Sequence, residues 1–225
     1  MTCETTAPIG RGEHASGEDG NTAGTDDAGP SRSTDSHPTG EPGEPPGARV
    51  VALEVSVAPG VSGFERSAYQ DLSEKLVNEA ARAAGCSDTG VRFPPAYPQD
   101  ADTPRGGVVR VRLVGDDEMA NAHERYCGVA GTTDVITFDL AEGASAHGAA
   151  LDVDLIVCVD EARRQADKRN HAIETELALY TLHGVLHALG YDDLDEDSYE
   201  RMHAREDEVF RRLGLGAAFG RGEQE

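Results

Sequence analysis

The chain contains 225 residues and carries a net charge of −22 at pH 7, a length that allows one domain of ordinary size together with a tail. Such an acidic chain lacks the broad basic footprint of a general nucleic-acid-binding protein, so a nucleic-acid role would need a local site or a partner. The sequence has no run of about 18 apolar residues, and we expect no membrane-spanning helix. Its four cysteines are scattered, which predicts neither a disulfide framework nor a cysteine zinc site and favours a cytoplasmic protein.

Residues 1–48 differ in composition from the rest of the chain. They include nine glycines and six prolines, contain no Val, Leu, Phe, Tyr or Trp, and are strongly acidic. Such a segment cannot bury enough apolar surface to offset the entropy that it would lose on ordering. We therefore predict a disordered acidic Gly/Pro/Thr-rich tail over 1–48, a folded domain over 49–215 and a flexible end over 216–225.

Beyond the tail, strand and helix signals alternate before the chain becomes helical. A Val-rich strand is expected at 50–57 and a helix at 65–84. An irregular stretch with four prolines over 86–107 leads to a strand at 108–114, a short helix at 116–126 and two more strands at 134–140 and 151–159. The remainder is helical in three pieces, at 160–168, 172–189 and 195–213. This order predicts an α+β domain in which a small mixed four-stranded sheet packs with about five helices.

The helix expected at 172–189 is apolar around most of its circumference, which is typical of a buried helix. One stripe differs, and it consists of Glu176, Tyr180, His183 and His187. Because residues four apart share a helix face and lie about 6 Å apart along the axis, the two imidazoles can reach one ion. Gly190 allows the chain to leave the helix by a left-handed turn, after which Asp193 can fold back as a third ligand.

A divalent metal, zinc above all, is therefore predicted at His183, His187 and Asp193, with a fourth position open as in catalytic zinc sites. The alternative is that both histidines are core residues and that Asp193 caps the following helix. We prefer the metal because each buried imidazole would otherwise need its own hydrogen-bonding partner. Gly184 limits the activities that such a site could have. Zinc metalloproteases of the His-Glu-x-x-His type have a glutamate general base at the position that Gly184 occupies. Peptide hydrolysis by that mechanism is not expected, and close packing or substrate access would explain the glycine.

The stretch from His183 to Asp193 resembles the signature of the YbeY family of bacterial endoribonucleases, His-Gly-x-Leu-His-x-x-Gly-Tyr-Asp-His. Further similarities are Thr133-Asp134-Val-Ile-Thr-Phe138 to the family's Thr-Asp-Val-Leu-Ser-Phe strand, Val153-Asp154-Leu to its Gly-Asp-Ile strand, and Met202 with Glu206 to its Met-x-x-x-Glu. The resemblance covers nearly all of residues 50–215. It implies an α+β fold with a zincin-like metal-binding helix.

The chain departs from the family pattern in three places. Asp193 replaces the third metal-binding histidine, and its harder oxygen donor can shift the preference among zinc, nickel, manganese and iron. Cys127 stands where family members often have an arginine, and we expect it to be a small buried apolar residue rather than a nucleophile. Arg125, two residues earlier, is a candidate catalytic residue that could reach the same space, with a surface role as the alternative. Val153 replaces the glycine of the Gly-Asp-Ile strand.

The resemblance implies a metal-dependent endoribonuclease that is specific for single-stranded RNA and acts in rRNA processing, at the 3′ end of small-subunit rRNA, and in ribosome biogenesis and quality control. It implies one zinc ion or another divalent metal per chain, and ribosomal small-subunit proteins or assembly factors as partners, with neither DNA nor a membrane. Asp154, Asp192 or Arg125 could assist the metal, although a turn-forming role is preferred for Asp192. Two alternatives stay open: a metal-dependent hydrolase of a non-RNA substrate, and a non-catalytic ribosome-assembly protein with a structural metal.

Overall fold

The computed structural model describes residues 4–5, 51–83, 106–141 and 150–216. Except for residues 4–5, the segment that we predict to be a disordered tail lies outside the described residues. Most of the proline-rich stretch 86–107 and of the end over 216–225 lies outside them as well. The domain boundaries given above therefore stay predictions.

The strands form one mixed sheet. They are β1 (Glu4–Thr5), β2 (Val51–Val57), β3 (Gly107–Val114), β4 (Val135–Asp139) and β5 (Leu151–Cys158), in the order β1-β4-β5-β3-β2. β3 is parallel to β2 and to β5, whereas β4 is antiparallel to β5 and to β1. The α+β class and the four predicted strands are confirmed. The two-residue β1 is an addition from the segment predicted to be disordered, and it pairs with an edge of β4 that would otherwise present unpaired backbone groups.

The helices agree with the prediction in number and place. They are α1 (Arg66–Ala83), α2 (Asp116–Cys127), α3 (Val159–Arg169), α4 (Ile173–Ala188) and α5 (Glu196–Arg212). α5 begins with a capping box, in which Asp195 and Ser198 exchange side-chain-to-backbone hydrogen bonds that satisfy free N–H groups of the first turn. Among the described residues, no helix is both long and apolar enough to cross a membrane.

The main core lies between one face of the sheet and the helices α1, α4 and α5. Alternate residues of the central strands supply that face, namely Val109, Val111 and Leu113 of β3 and Val153, Leu155 and Val157 of β5. A smaller apolar cluster lies under α2 on the opposite face and includes Met119, Ile136 and Cys158. Because side chains alternate across a strand, Arg110 and Asp154 also face this opposite side.

Candidate metal centre

α4 is the central helix of the domain, and every residue from Glu176 to His187 is buried. Gly184 lets it lie close against the sheet. A Cβ atom at Gly184 would lie 2.7 Å from Leu155 Cδ2 and 2.8 Å from Thr137 Oγ1, which is closer than packed atoms approach one another. Close packing, one of the two explanations that the sequence offered for this glycine, therefore holds.

The chain leaves α4 through a left-handed glycine, as predicted. Gly190 has a φ of 88°, and its N–H donates to the carbonyl of His187 at 2.9 Å. The N–H of Tyr191 donates to the carbonyl of Leu186 at 3.0 Å. This pair of hydrogen bonds is the Schellman arrangement that satisfies the last carbonyls of a helix.

Asp192 forms the turn that follows. Its Oδ1 accepts hydrogen bonds from the backbone N–H groups of Asp193 and Leu194, at 2.7 and 3.1 Å. This is the local hydrogen bonding of a turn-forming aspartate, which agrees with the preferred role for this residue. The turn is followed at once by the capping box of α5, so Asp193 lies on a short connection that is fixed on both sides.

The three predicted ligands come together at the end of α4. His183 Nε2 and His187 Nε2 are 3.2 Å apart. Asp193 Oδ2 lies 3.8 Å from His183 Nε2, and Asp193 Oδ1 lies 3.9 Å from His187 Nε2. In the described residues these three form the one group of His, Cys, Asp or Glu side chains with a spacing suited to a metal ion.

The spacing of these atoms fits a tetrahedral ion. Two imidazole nitrogens that each lie about 2.0–2.1 Å from a tetrahedral zinc ion are separated by roughly 3.3 Å, close to the 3.2 Å observed. Bonds of about 2.0–2.2 Å to a carboxylate oxygen require an oxygen-to-nitrogen separation of roughly 3.4 Å. The observed separations of 3.8 and 3.9 Å are longer and involve two different oxygens of Asp193, so its carboxylate would have to move toward the two nitrogens to complete the set. The site is compatible with a metal, and its geometry does not identify which one.

The other ring nitrogens determine what the two histidines present to each other. His183 Nδ1 lies 2.8 Å from Glu206 Oε1, and His187 Nδ1 lies 3.1 Å from the backbone carbonyl of Tyr191. An ionised carboxylate and a carbonyl can only accept, so both Nδ1 atoms carry a proton. In the neutral rings, both Nε2 atoms then present lone pairs to each other. Such a pair requires one positive charge between its members, supplied by a proton or by a metal ion.

The pKa shifts of the two histidines have opposite directions. Burial alone would lower the pKa of His183, but the carboxylates of Glu206, Asp134 and Asp193 outweigh burial and hold that pKa above its usual value. Burial and the neighbouring His183 lower the pKa of His187. The pair therefore favours one bound proton over two, which is the behaviour of two nitrogens that compete for a single cation.

The polar stripe of α4 continues away from the two histidines toward the start of the helix. Glu176 is completely buried, and its two oxygens accept from Arg169 Nη1 at 2.7 Å and His171 Nε2 at 2.6 Å. Tyr180 lies between this group and His183, and burial together with the Glu176 carboxylate raises its pKa. The group fixes the junction of α3 and α4, a role that the sequence did not reveal because Arg169 and His171 lie outside the periodic pattern of α4.

Three other candidates are not brought to the histidine pair. Asp154 faces the opposite side of the sheet and forms an ion pair with Arg110 at 2.6 Å, so it does not assist a metal at the histidine pair. Cys127 is partly buried and packs against the smaller apolar cluster under α2, on the opposite face of the sheet from the histidine pair. Arg125 is exposed near the end of α2, with its guanidinium 5.4 Å from the ring centre of Tyr126. The structure shows no contact between Arg125 and the predicted ligands among the described residues, and its catalytic role stays a prediction.

Comparison with known proteins gives a consistent result. The model of the family described as Endoribonuclease YbeY matches residues 65–214. Endoribonuclease YbeY of Bacillus licheniformis is 32% identical over 149 residues, which cover 63% of this chain and 84% of that protein. Endoribonuclease YbeY of Macrococcus caseolyticus is 37% identical over 111 residues, which cover 48% of this chain and 72% of that protein.

Proposed function

The chain belongs to the YbeY family of endoribonucleases, and we propose that it cleaves single-stranded RNA at a metal ion held by His183, His187 and Asp193. It is a hydrolase of RNA that acts in rRNA maturation. This membership favours RNA over the non-RNA substrate and the purely structural role that the sequence left open. The observation that supports the metal is the 3.2 Å distance between His183 Nε2 and His187 Nε2. Each ring donates its hydrogen bond through Nδ1, which leaves the lone pair of each Nε2 for an ion.

Each ligand has a distinct part in this proposal. His183 and His187 would bind the ion through Nε2, because their Nδ1 atoms are engaged with Glu206 and the Tyr191 carbonyl. Asp193 would bind through its carboxylate, which also offsets one unit of the ion's charge. When bound, a divalent metal lowers the pKa of a coordinated water or neutralises negative charge that develops on a phosphate.

The burial of the ligands increases the strength of these electrostatic effects. The side chains of His183 and His187 are 7% and 3% exposed, whereas that of Asp193 is 13% exposed. A partly dehydrated site strengthens every charge interaction within it. The substrate phosphate would approach from the side of Asp193, the most accessible of the three. Arg125 is an exposed cation, and we propose that it contributes to binding the phosphates of the RNA strand.

The biological setting follows the same family relation. We propose that the protein acts in the cytoplasm on the 3′ end of small-subunit rRNA, in ribosome biogenesis and quality control. Zinc is the metal that two imidazoles and a carboxylate favour, although the carboxylate also suits a harder ion. The net charge of −22 opposes unaided binding to a polyanion. Ribosomal small-subunit proteins or assembly factors are therefore proposed as partners that bring the protein to its substrate.

The test combines metal analysis with RNA cleavage in the full chain made without a histidine tag. His187→Ala should lose the metal and the cleavage of single-stranded RNA while its circular dichroism stays that of the wild type. His123→Ala is the matched control, since it truncates a buried imidazole on α2 and should keep the metal. Cleavage that persists in metal-free His187→Ala would overturn the proposal. A wild-type chain that unfolds with a chelator and cuts no RNA would favour a structural metal instead.

A further inference from the structure

Glu206 of α5 contacts the predicted ligand His183 from behind. Its Oε1 accepts from His183 Nδ1 at 2.8 Å, and the Glu206 side chain is completely buried. The sequence marks this glutamate through its four-residue spacing from Met202, but that motif alone does not say what the carboxylate does. The structure shows that it orients one of the two imidazoles.

The second oxygen of Glu206 is held by another histidine. His203 Nδ1 lies 2.6 Å from Glu206 Oε2, and the His203 ring packs edge-on against Tyr199 with 4.1 Å between ring centres. Because an ionised carboxylate only accepts, both imidazoles donate to it. The hydrogen bonds therefore run in one series from His183 through Glu206 to His203, with Tyr199 fixing the outer ring.

The partners of Glu206 differ from those of the other buried glutamates among the described residues. Glu208, on the same helix, is paired with the guanidinium groups of Arg205 and Arg212. Glu206 contacts imidazoles alone, which carry no permanent charge. A buried carboxylate without a permanent cation is costly. A cation at His183 Nε2 would relieve that cost, because it makes the Nδ1–H of the same ring a stronger donor.

We propose that Glu206 and His203 form an outer relay that orients His183 and sets the metal affinity of the site. The inference rests on the proposed metal centre. Carboxylates that accept from a metal-binding histidine fix its tautomer and raise its basicity, and losing one typically costs about 10–100-fold in metal affinity. Binding is reciprocal, so the relay strengthens metal binding by the same factor by which the metal strengthens the relay. Glu206 and His203 are positioning residues, since neither contacts the ion.

The experiment measures the dissociation constant for zinc in the full chain, by competition with a chromogenic chelator. Glu206→Gln should weaken zinc binding by about 10–100-fold. Glu208→Gln is the matched control, because it alters a buried glutamate of the same helix whose partners are arginines. It should lower the midpoint of thermal unfolding and leave the zinc affinity within about twofold of the wild type.

His203 provides a second and milder test if Glu206→Gln does not fold. His203→Ala should weaken zinc binding several-fold, whereas His203→Asn should retain most of the affinity, because its amide N–H can replace the Nδ1 donor. The rise in the unfolding midpoint on adding zinc should shrink in parallel, which a purely structural role would not produce.

The outcomes separate the relay from the metal centre. Equal zinc affinity in Glu206→Gln and the wild type, or an equal loss in Glu208→Gln, would overturn the relay and leave the metal centre intact. Should Glu206→Gln fail to fold, equal zinc affinity in His203→Ala and His203→Asn would overturn the relay. A wild-type chain that binds no divalent metal would overturn the metal centre and the relay together.

Discussion

We expect Gly184→Ala to destabilise the domain, although alanine is the better helix former by about 1 kcal/mol at an interior position. The new Cβ would lie 2.7 Å from Leu155 Cδ2 and 2.8 Å from Thr137 Oγ1. Both neighbours are buried and have little room to rotate away. Overpacking of this kind costs about 1–3 kcal/mol. Subtracting the gain in helix propensity from the cost of overpacking leaves a net loss of about 1 kcal/mol in the free energy of unfolding, and at most about 2 kcal/mol.

Urea unfolding followed by circular dichroism measures this loss. Thr137→Ala supplies the partner variant, because it removes a hydroxyl that is buried without a hydrogen bond and that the new methyl group would meet. The double variant should recover part of the loss, with a coupling energy of about 0.5 kcal/mol or more. A Gly184→Ala protein as stable as the wild type, with no coupling to Thr137, would refute the close approach of α4 to the sheet.

Three further predictions concern the metal ligand, a buried thiol and a buried ion pair. Asp193→His should still bind a metal but discriminate more strongly for zinc over manganese in competition experiments, and loss of binding would mean that the third ligand lies elsewhere. Burial raises the pKa of the Cys158 thiol from 9.0 to about 12. The protonated thiol therefore contributes fully to the free energy of unfolding below its unfolded pKa, and this contribution is lost as pH rises from about 9 toward 12. Cys158→Ala should flatten the fall in unfolding free energy over that range, and an unchanged pH dependence would contradict the assignment. Arg205 is buried with Nε and Nη2 lacking partners, and Glu208 would keep Arg212. Arg205→Met should therefore be neutral or stabilise by up to about 2 kcal/mol in urea unfolding, and a loss of that size would show that the guanidinium is needed.

The secondary structure could be predicted closely because the chain has clear local signals. The sequence predicts the central helix at 172–189, and it spans Ile173–Ala188, because its apolar periodicity and its glycine exit both act within a few residues. The two parallel pairings of β3 could not be derived in the same way. Strand order depends on which faces pack together after the chain has folded back on itself, and that information is not local.

The residues of the site likewise differ in whether local sequence or tertiary packing determines their position. His183 and His187 could be predicted because they share one face of one helix, and Asp193 because a short turn follows. Glu206 was visible only as part of a motif, since its contact with His183 depends on how α5 docks against α4. Asp154 shows the opposite error. The family resemblance drew attention to it, whereas its alternation with buried neighbours in β5 already indicates the far face of the sheet.

The three proposed metal ligands and the two relay residues, Glu206 and His203, all lie between residues 183 and 206. They belong to two successive helices and the turn that joins them. This helical hairpin can therefore assemble its metal environment from contacts of short sequence separation, which form faster than the pairing of distant strands. The residues of β4 that lie beside α4 come from a separate part of the chain. Changes in the sheet can thus alter the surface that packs against α4 while the sequence of the hairpin itself stays the same.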